Sequence, residues 1–200
     1  MRTLRKQNCA PFARTPKPSS IGNLWMHSTI CTIGFAGKTA EEFFRLLQGA
    51  RVKKVIDIRE NRTGQLSGFA KYPDIVFFLE HVVGIAYEYA PVLAPTPEIR
   101  KAYRKAKNWS AYQSSFLQLM RDRGIPEQLE RSQFEGTVAL LCSEPGPEQC
   151  HRRLVAELLA EHWLKQSHMV DIRHLLLEKP ASRLRKRKRS SAGHDGTSNK

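Results

Sequence analysis

"TICTIGFAGKTAEEFFRLLQGARVKKVIDIR", residues 29–59, holds the pattern that decides the fold. Its opening "TICTIGFAG" is an apolar, β-branched run closed by a glycine, which reads as a buried strand ending in a turn. "KTAEEFFRLLQGA" follows as a helix. Thr39 stands at the N-cap with Glu42 three residues on, the spacing of a capping box; Phe43, Leu46 and Leu47 share one face, and Gly49 falls near the end. "VKKVIDIR", residues 52–59, is β-branched again and returns the chain to a strand.

The alternation continues outward from this unit. A Gly/Ser-containing loop runs to about Ala70, then come a helix over "PDIVFFLEHVV", a strand "AYEYAPV" and a long helical region from about Thr96 to Arg123. Trp109, Tyr112 and Phe116 fall at helical spacing in that region and read as core. A short helix near Glu127 leads to the strand "TVALLCS", a helix over 147–164 and a last strand "MVDIRH". Strands alternating with helices predict an α/β domain over residues 27–178, with a mostly parallel sheet, helices on both faces and no internal repeats.

Two hundred residues with 40% hydrophobic content suffice for one core without disulfides or metals. No apolar run approaches the roughly 20 residues of a membrane span, and no secretory h-region opens the chain, so a cytoplasmic protein away from membranes is expected. Cysteines at 9, 31, 142 and 150 do not form the framework of a secreted mini-protein, and reduced thiols are expected. The net charge of +14 sits at the ends: residues 1–20 carry five Lys/Arg and no acid, and residues 179–200 carry eight Lys/Arg and one Asp. Twelve of the fourteen charges thus lie in ends rich in Pro, Ser, Gly, Arg and Lys, read as a disordered N-terminal extension (1–26) and a disordered C-terminal tail (179–200). Met26, just before the first strand, offers an alternative start. The block "RLRKRKR", residues 183–189, suits either sequence-independent phosphate binding or simple solvation.

In a parallel sheet, ligands collect beyond the carboxyl ends of the strands, where helix N-termini also point. "TVALLCSEPGPEQCHRRLVAELLAEHW", residues 137–163, places its chemistry there. Cys142 ends a strand, "SEPGP" turns, and Pro147 suits a first helical position, so that Cys150 and His151 fall in the opening turns of the helix. Free N–H groups at that helix start favour an anion, and Arg152 adds a fork for phosphate or carboxylate. Arg59 and Arg62, after the second strand, are expected to converge with Arg152 on one pocket, with Asp57 close behind.

Each residue carries a second reading. His151 is a general base or a buried imidazole bonded to backbone, and Cys150 is a nucleophile with a lowered pKa or a small filler. Cys142 reads as structural. Asp57 with Arg59 is part of the site or a strand-end salt bridge, and Glu144 a proton-exchanging group or a cap for the turn. Arg152 beside a helix N-terminus repels the dipole unless an anion lies between them, which Glu144 could supply. Cys142, Cys150 and His151 lack a common zinc spacing and a fourth ligand, so neither metal nor cofactor is expected.

"TIGFAGKTAEEFFRLL", "VIDIRENRTGQLSGFAK" and "ALLCSEPGPEQCHRRLVAELL", in this order, resemble the domain-of-unknown-function 488 family over about residues 28–175. The Cys-x-Glu segment followed by Cys-His-Arg is the most specific part. The resemblance implies a compact α/β domain with a pocket around Asp57, Arg59, Gly68, Phe69, Lys71, Glu144, Cys150, His151 and Arg152. It implies no reaction.

These readings lead to a protein that binds a phosphate-bearing or nucleotide-like ligand at the carboxyl edge of its sheet. Arg59 and Arg152 hold the anion, Glu144 or Asp57 orients it or exchanges protons, and His151 fixes the pocket or serves as base. Whether the ligand is also turned over stays open, as does the oligomeric state. Two other classes remain: a non-catalytic nucleic-acid-binding module using the basic ends, and cysteine-dependent transfer chemistry.

Overall fold

The computed structural model describes residues 26–64 and 67–177. Both basic ends, Met26 excepted, lie outside the described residues, so their expected disorder belongs to the sequence reading alone. Five strands, β1 (Met26–Gly34), β2 (Lys54–Asp57), β3 (Ala86–Tyr89), β4 (Thr137–Cys142) and β5 (His168–His174), form one sheet in the order β3-β2-β4-β1-β5. Every pairing among them is parallel. This is the expected α/β architecture, and β1 and β4 at its centre are buried on both faces, as a parallel sheet requires.

Alternate residues feed two cores. Ile30, Ile56, Val138 and Leu140 face one side and pack with Phe116, Leu154, Leu159 and Trp163; Cys31, Val55, Ala139 and Leu141 face the other and pack with Phe43, Leu47 and Leu79. Period-2 alternation in the strands thus meets the apolar stripe of a helix on each face. Each fully buried Leu, Ile, Val or Phe contributes about 1.5–3 kcal/mol.

Helix α1 (Ala40–Gly49) has the capping box read from the sequence: Glu42 N donates to Thr39 Oγ1 at 3.2 Å, and Thr39 N donates to Glu42 Oε2 at 2.8 Å. α2 (Asp74–Phe77) is a single turn that widens into a π turn over Phe78–Val82. The long helix expected from Thr96 to Arg123 is two helices, α3 (Pro97–Ala106) and α4 (Trp109–Asp122). The break comes from Lys107, which adopts a left-handed conformation at φ 53°, and from Asn108, whose side chain caps α4 by accepting from Ala111 N at 3.0 Å. The expected short helix near Glu127 is a run of turns, with a 3₁₀ turn at Arg131–Phe134.

α5 (His151–Leu164) starts four residues later than the expected Pro147, with Cys150 at its N-cap. Pro145 and Pro147 supply no N–H, and a residue preceding proline is pushed out of helical space, so residues 143–149 stay a turn. That turn folds over the end of β1. A Cβ on Gly34 would stand 1.7 Å from the carbonyl oxygen of Glu144, so only glycine lets the two segments approach.

Candidate functional site

β2 and β4 are neighbours, yet the chain leaves them in opposite directions. After β2 it turns to α2 on one face and then to β3; after β4 it turns to α5 on the other face and then to β5. Diverging loops at adjacent strand ends open a crevice, the position where open α/β sheets bind ligands. A cleft of about 480 Å³ lies there, walled by the chain after β2 (Arg59, Glu60), the turn after β4 (Glu144, Cys150) and α3.

α3 is the wall that sequence reasoning missed. Arg100, Tyr103 and Arg104 recur at three- and four-residue spacing, so one face of α3 presents them to the cleft, and Lys107 at its C-cap joins them there. The signal was present in "EIRKAYRKAK", a helix too basic to be core with Arg100 and Arg104 one turn apart beside Tyr103. Arg100 pairs with Glu60 across the cleft rim. Among the described residues, Arg104 and Lys107 are exposed and form no ion pair. Tyr103 donates to Gln149 Oε1 at 2.7 Å, tying α3 to the turn before α5. Its ring lies 5.1 Å from that of Tyr112, which also lines the cleft.

Asp57 and Arg59 form a closed pair at the end of β2. Arg59 donates from Nε to Asp57 Oδ1 at 2.8 Å, from Nη2 to Oδ2 at 2.7 Å and from Nη1 to Ala70 O at 2.8 Å. Tyr87 donates its hydroxyl to Asp57 Oδ2 at 2.8 Å. Asp57 is fully buried, its two oxygens are engaged by these donors, and it holds Arg59 in place. Arg59 reaches the cleft wall, with one N–H on each of Nη1 and Nη2 beyond those bonds.

Arg62, expected in the same pocket, is turned away from it. Its guanidinium lies 3.5 Å from the Tyr89 ring centroid and 4.3 Å from that of Tyr72, and Nη1 donates to Tyr87 Oη at 3.1 Å. Gly68, Phe69 and Lys71 also lie off the cleft. Gly68 opens a 3₁₀ turn, Phe69 packs against Phe43 and Phe44, and Lys71 is exposed. What this segment gives the site is the Ala70 carbonyl under Arg59.

Arg152 departs furthest from expectation. Its side chain is fully buried beneath the 143–149 turn, where Nη1 donates to Glu144 O at 2.7 Å and to Cys142 Sγ at 2.7 Å, and Nη2 donates to Pro145 O at 3.4 Å. It braces the turn instead of reaching into the cleft. The partner foreseen for it was the Glu144 carboxylate; Glu144 gives its backbone carbonyl, while its exposed carboxylate lines the cleft. The two cysteines meet here, with Cys142 Sγ 2.9 Å from Cys150 Sγ.

His151 begins α5 and lines the cleft. A carbonyl can only accept, so the 3.1 Å contact with Ile58 O fixes Nε2 as the protonated nitrogen and leaves Nδ1 with a lone pair, 3.9 Å from Cys150 Sγ. Burial lowers the imidazole to a pKa of about 4, against a smaller upward pull from the Ile58 carbonyl, so His151 is neutral at pH 7. It is thus an imidazole bonded to backbone at the cleft wall.

Among the described residues no cluster of His, Cys, Asp or Glu is arranged to hold a metal, and no helix is long and apolar enough to cross a membrane. Compared with known proteins, residues 39–159 match the family model described as "Domain of unknown function DUF488". No curated protein and no solved structure matches.

Proposed function

Because the chain belongs to the DUF488 family, whose name assigns no reaction, we propose its function from the cleft: it binds a phosphate-bearing, nucleotide-like small molecule there. The observation that carries the reading is the pair Arg104 and Lys107, two exposed cations on the cleft wall without acidic partners among the described residues. The other cations are committed, Arg59 to Asp57 and Arg100 to Glu60. What remains is two positive charges facing the one exposed carboxylate of Glu144, which suits one phosphate better than a polyphosphate. Tyr103 supplies aromatic surface for a flat ring beside the phosphate, as Trp, Tyr and Phe do for bases elsewhere.

In this reading Arg104, Lys107 and the spare N–H groups of Arg59 hold the phosphate. Glu144 and the Nδ1 atom of His151 are the groups that exchange protons with a bound ligand, should it be turned over. Arg152 and Asp57 act one step back, holding the turn and Arg59.

Calorimetric titration with a nucleoside monophosphate, with inorganic phosphate and with the unphosphorylated nucleoside tests it. Binding should require the phosphate. Replacing Arg104 and Lys107 by Ala should weaken it by about 1.5–3 kcal/mol for each charge-assisted bond lost, with an unchanged melting temperature because both side chains are exposed. Equal affinity of this variant, or no phosphate dependence, refutes the reading. Binding only to DNA or RNA, lost with residues 183–189, would assign the function to the basic tail instead.

A further inference from the structure

The cluster under the 143–149 turn has a chemistry that ligand binding does not use. Cys142 and Cys150 are separated by a seven-residue turn, yet their sulfurs lie 2.9 Å apart, inside van der Waals contact and close to the bond length of about 2.05 Å. Both are buried, at 0% and 2% exposure, but Cys150 forms part of the cleft wall and Cys142 lies behind it. Arg152 sits against both, with Nη1 2.7 Å from Cys142 Sγ and 3.4 Å from Cys150 Sγ.

A guanidinium in the first turn of α5 opposes the helix dipole and demands an anion. Among the described residues the fully buried side chain of Arg152 has no carboxylate partner; its contacts are carbonyl oxygens and sulfur. The group able to carry the negative charge is therefore the Cys142 sulfur. Burial pushes that thiol up, but the hydrogen bond with Cys150 and the charge of Arg152 outweigh it and hold Cys142 below the ordinary thiol range. Cys150 moves the other way, raised by burial and then by its hydrogen bond to Cys142. Cys142 is thus the sulfur of the pair that ionises first, giving its proton to solvent.

We propose that Cys142 and Cys150 form a redox couple in the floor of the cleft, closed to an intramolecular disulfide by a hydroperoxide that enters through the cleft and meets Cys150. With Cys142 ionised, the remaining proton passes from Cys150 to Cys142, and the Cys150 thiolate attacks the outer peroxide oxygen. The O–O bond breaks, the departing oxygen takes up a proton from solvent to leave as an alcohol or water, and Cys150 becomes a sulfenic acid. Cys142, losing its proton to the departing hydroxide, attacks Cys150 Sγ; the S–O bond breaks, water leaves and the S–S bond forms. Two thiols supply the two electrons and two protons that reduce one peroxide. Arg152 favours the thiolate at each stage, and His151 Nδ1, 3.9 Å from Cys150 Sγ, is the base available on the cleft side.

The test uses the full chain and reads both cysteines in one fragment, because trypsin releases residues 132–152 as a single peptide. Reduced protein is treated with one equivalent of hydrogen peroxide, alkylated after denaturation and digested. The expected product is the 132–152 peptide lighter by two hydrogen masses and unalkylated, formed before Cys9 or Cys31 is oxidised and reversed by dithiothreitol. Cys142→Ser should stop at a sulfenic acid on Cys150 that dimedone traps, and Cys150→Ser should remove the reaction. If the wild-type peptide keeps both thiols alkylatable after Cys9 has been consumed, or if either cysteine bonds to Cys31 or to a second chain, the proposal is overturned, whatever the variants do.

Discussion

Replacing Asp57 by asparagine keeps the shape of the side chain and removes its charge, which strands the Arg59 guanidinium at the end of β2. The structure sets the scale. Asp57 is 0% and Arg59 3% exposed, so water cannot take over the lost pairing. Asp57 accepts from Arg59 N at 3.2 Å, Arg59 Nε at 2.8 Å, Arg59 Nη2 at 2.7 Å and Tyr87 Oη at 2.8 Å; an amide can serve only part of this set. Removing one partner of a buried pair costs about 3–5 kcal/mol, a fifth or more of the roughly 5–15 kcal/mol that holds a domain folded. The Asp57→Leu/Arg59→Met double variant removes both charges and fills the space, so it should recover most of the loss. Urea unfolding followed by tryptophan fluorescence measures all three proteins. A single variant within 1 kcal/mol of wild type, or a double variant no more stable than the single, would show that the pair is solvated in solution and that Asp57 does not hold Arg59.

Gly34→Ala should destabilise by about 3 kcal/mol or more, because a Cβ 1.7 Å from Glu144 O forces the 143–149 turn off its seat; the same urea titration reads it. Acid should weaken the fold through His151. Its folded pKa, about 4, lies below the ordinary 6.5, so the unfolded chain binds a proton first; the stability is present in full above pH 6.5 and lost as pH falls through 4. The gap corresponds to about 3 kcal/mol, and His151→Gln should flatten the dependence of stability on pH across that window. A chain of residues 26–177 should lose salt-dependent affinity for non-specific DNA, since twelve of the fourteen net charges are in the two ends; retained affinity at physiological salt would place the contacts on the folded domain.

The sequence determined the strands of the sheet and helix α1, because those signals are local. Thr39 and Glu42 need only each other to form the capping box, and β-branched runs such as "VKKVIDIR" must be buried wherever they fall. It also determined that Arg59, Glu144, Cys150 and His151 lie at the carboxyl edge, because a parallel sheet leaves the loops after β2 and β4 there. Which way each side chain points was decided only by the tertiary structure. Arg62 meets Tyr72, Tyr87 and Tyr89, residues ten to twenty-seven positions away, and the competition between that aromatic nest and the cleft cannot be read from "DIRENR". Arg152 and Arg104 are chemically alike in the sequence. One is drawn under a turn that Gly34 allows to close and finds sulfur and carbonyl partners; the other stands on a helix placed over the cleft by a break at Lys107 and Asn108. Local propensity sets backbone conformation, but the partner of a charge is set by the segments that the fold brings beside it.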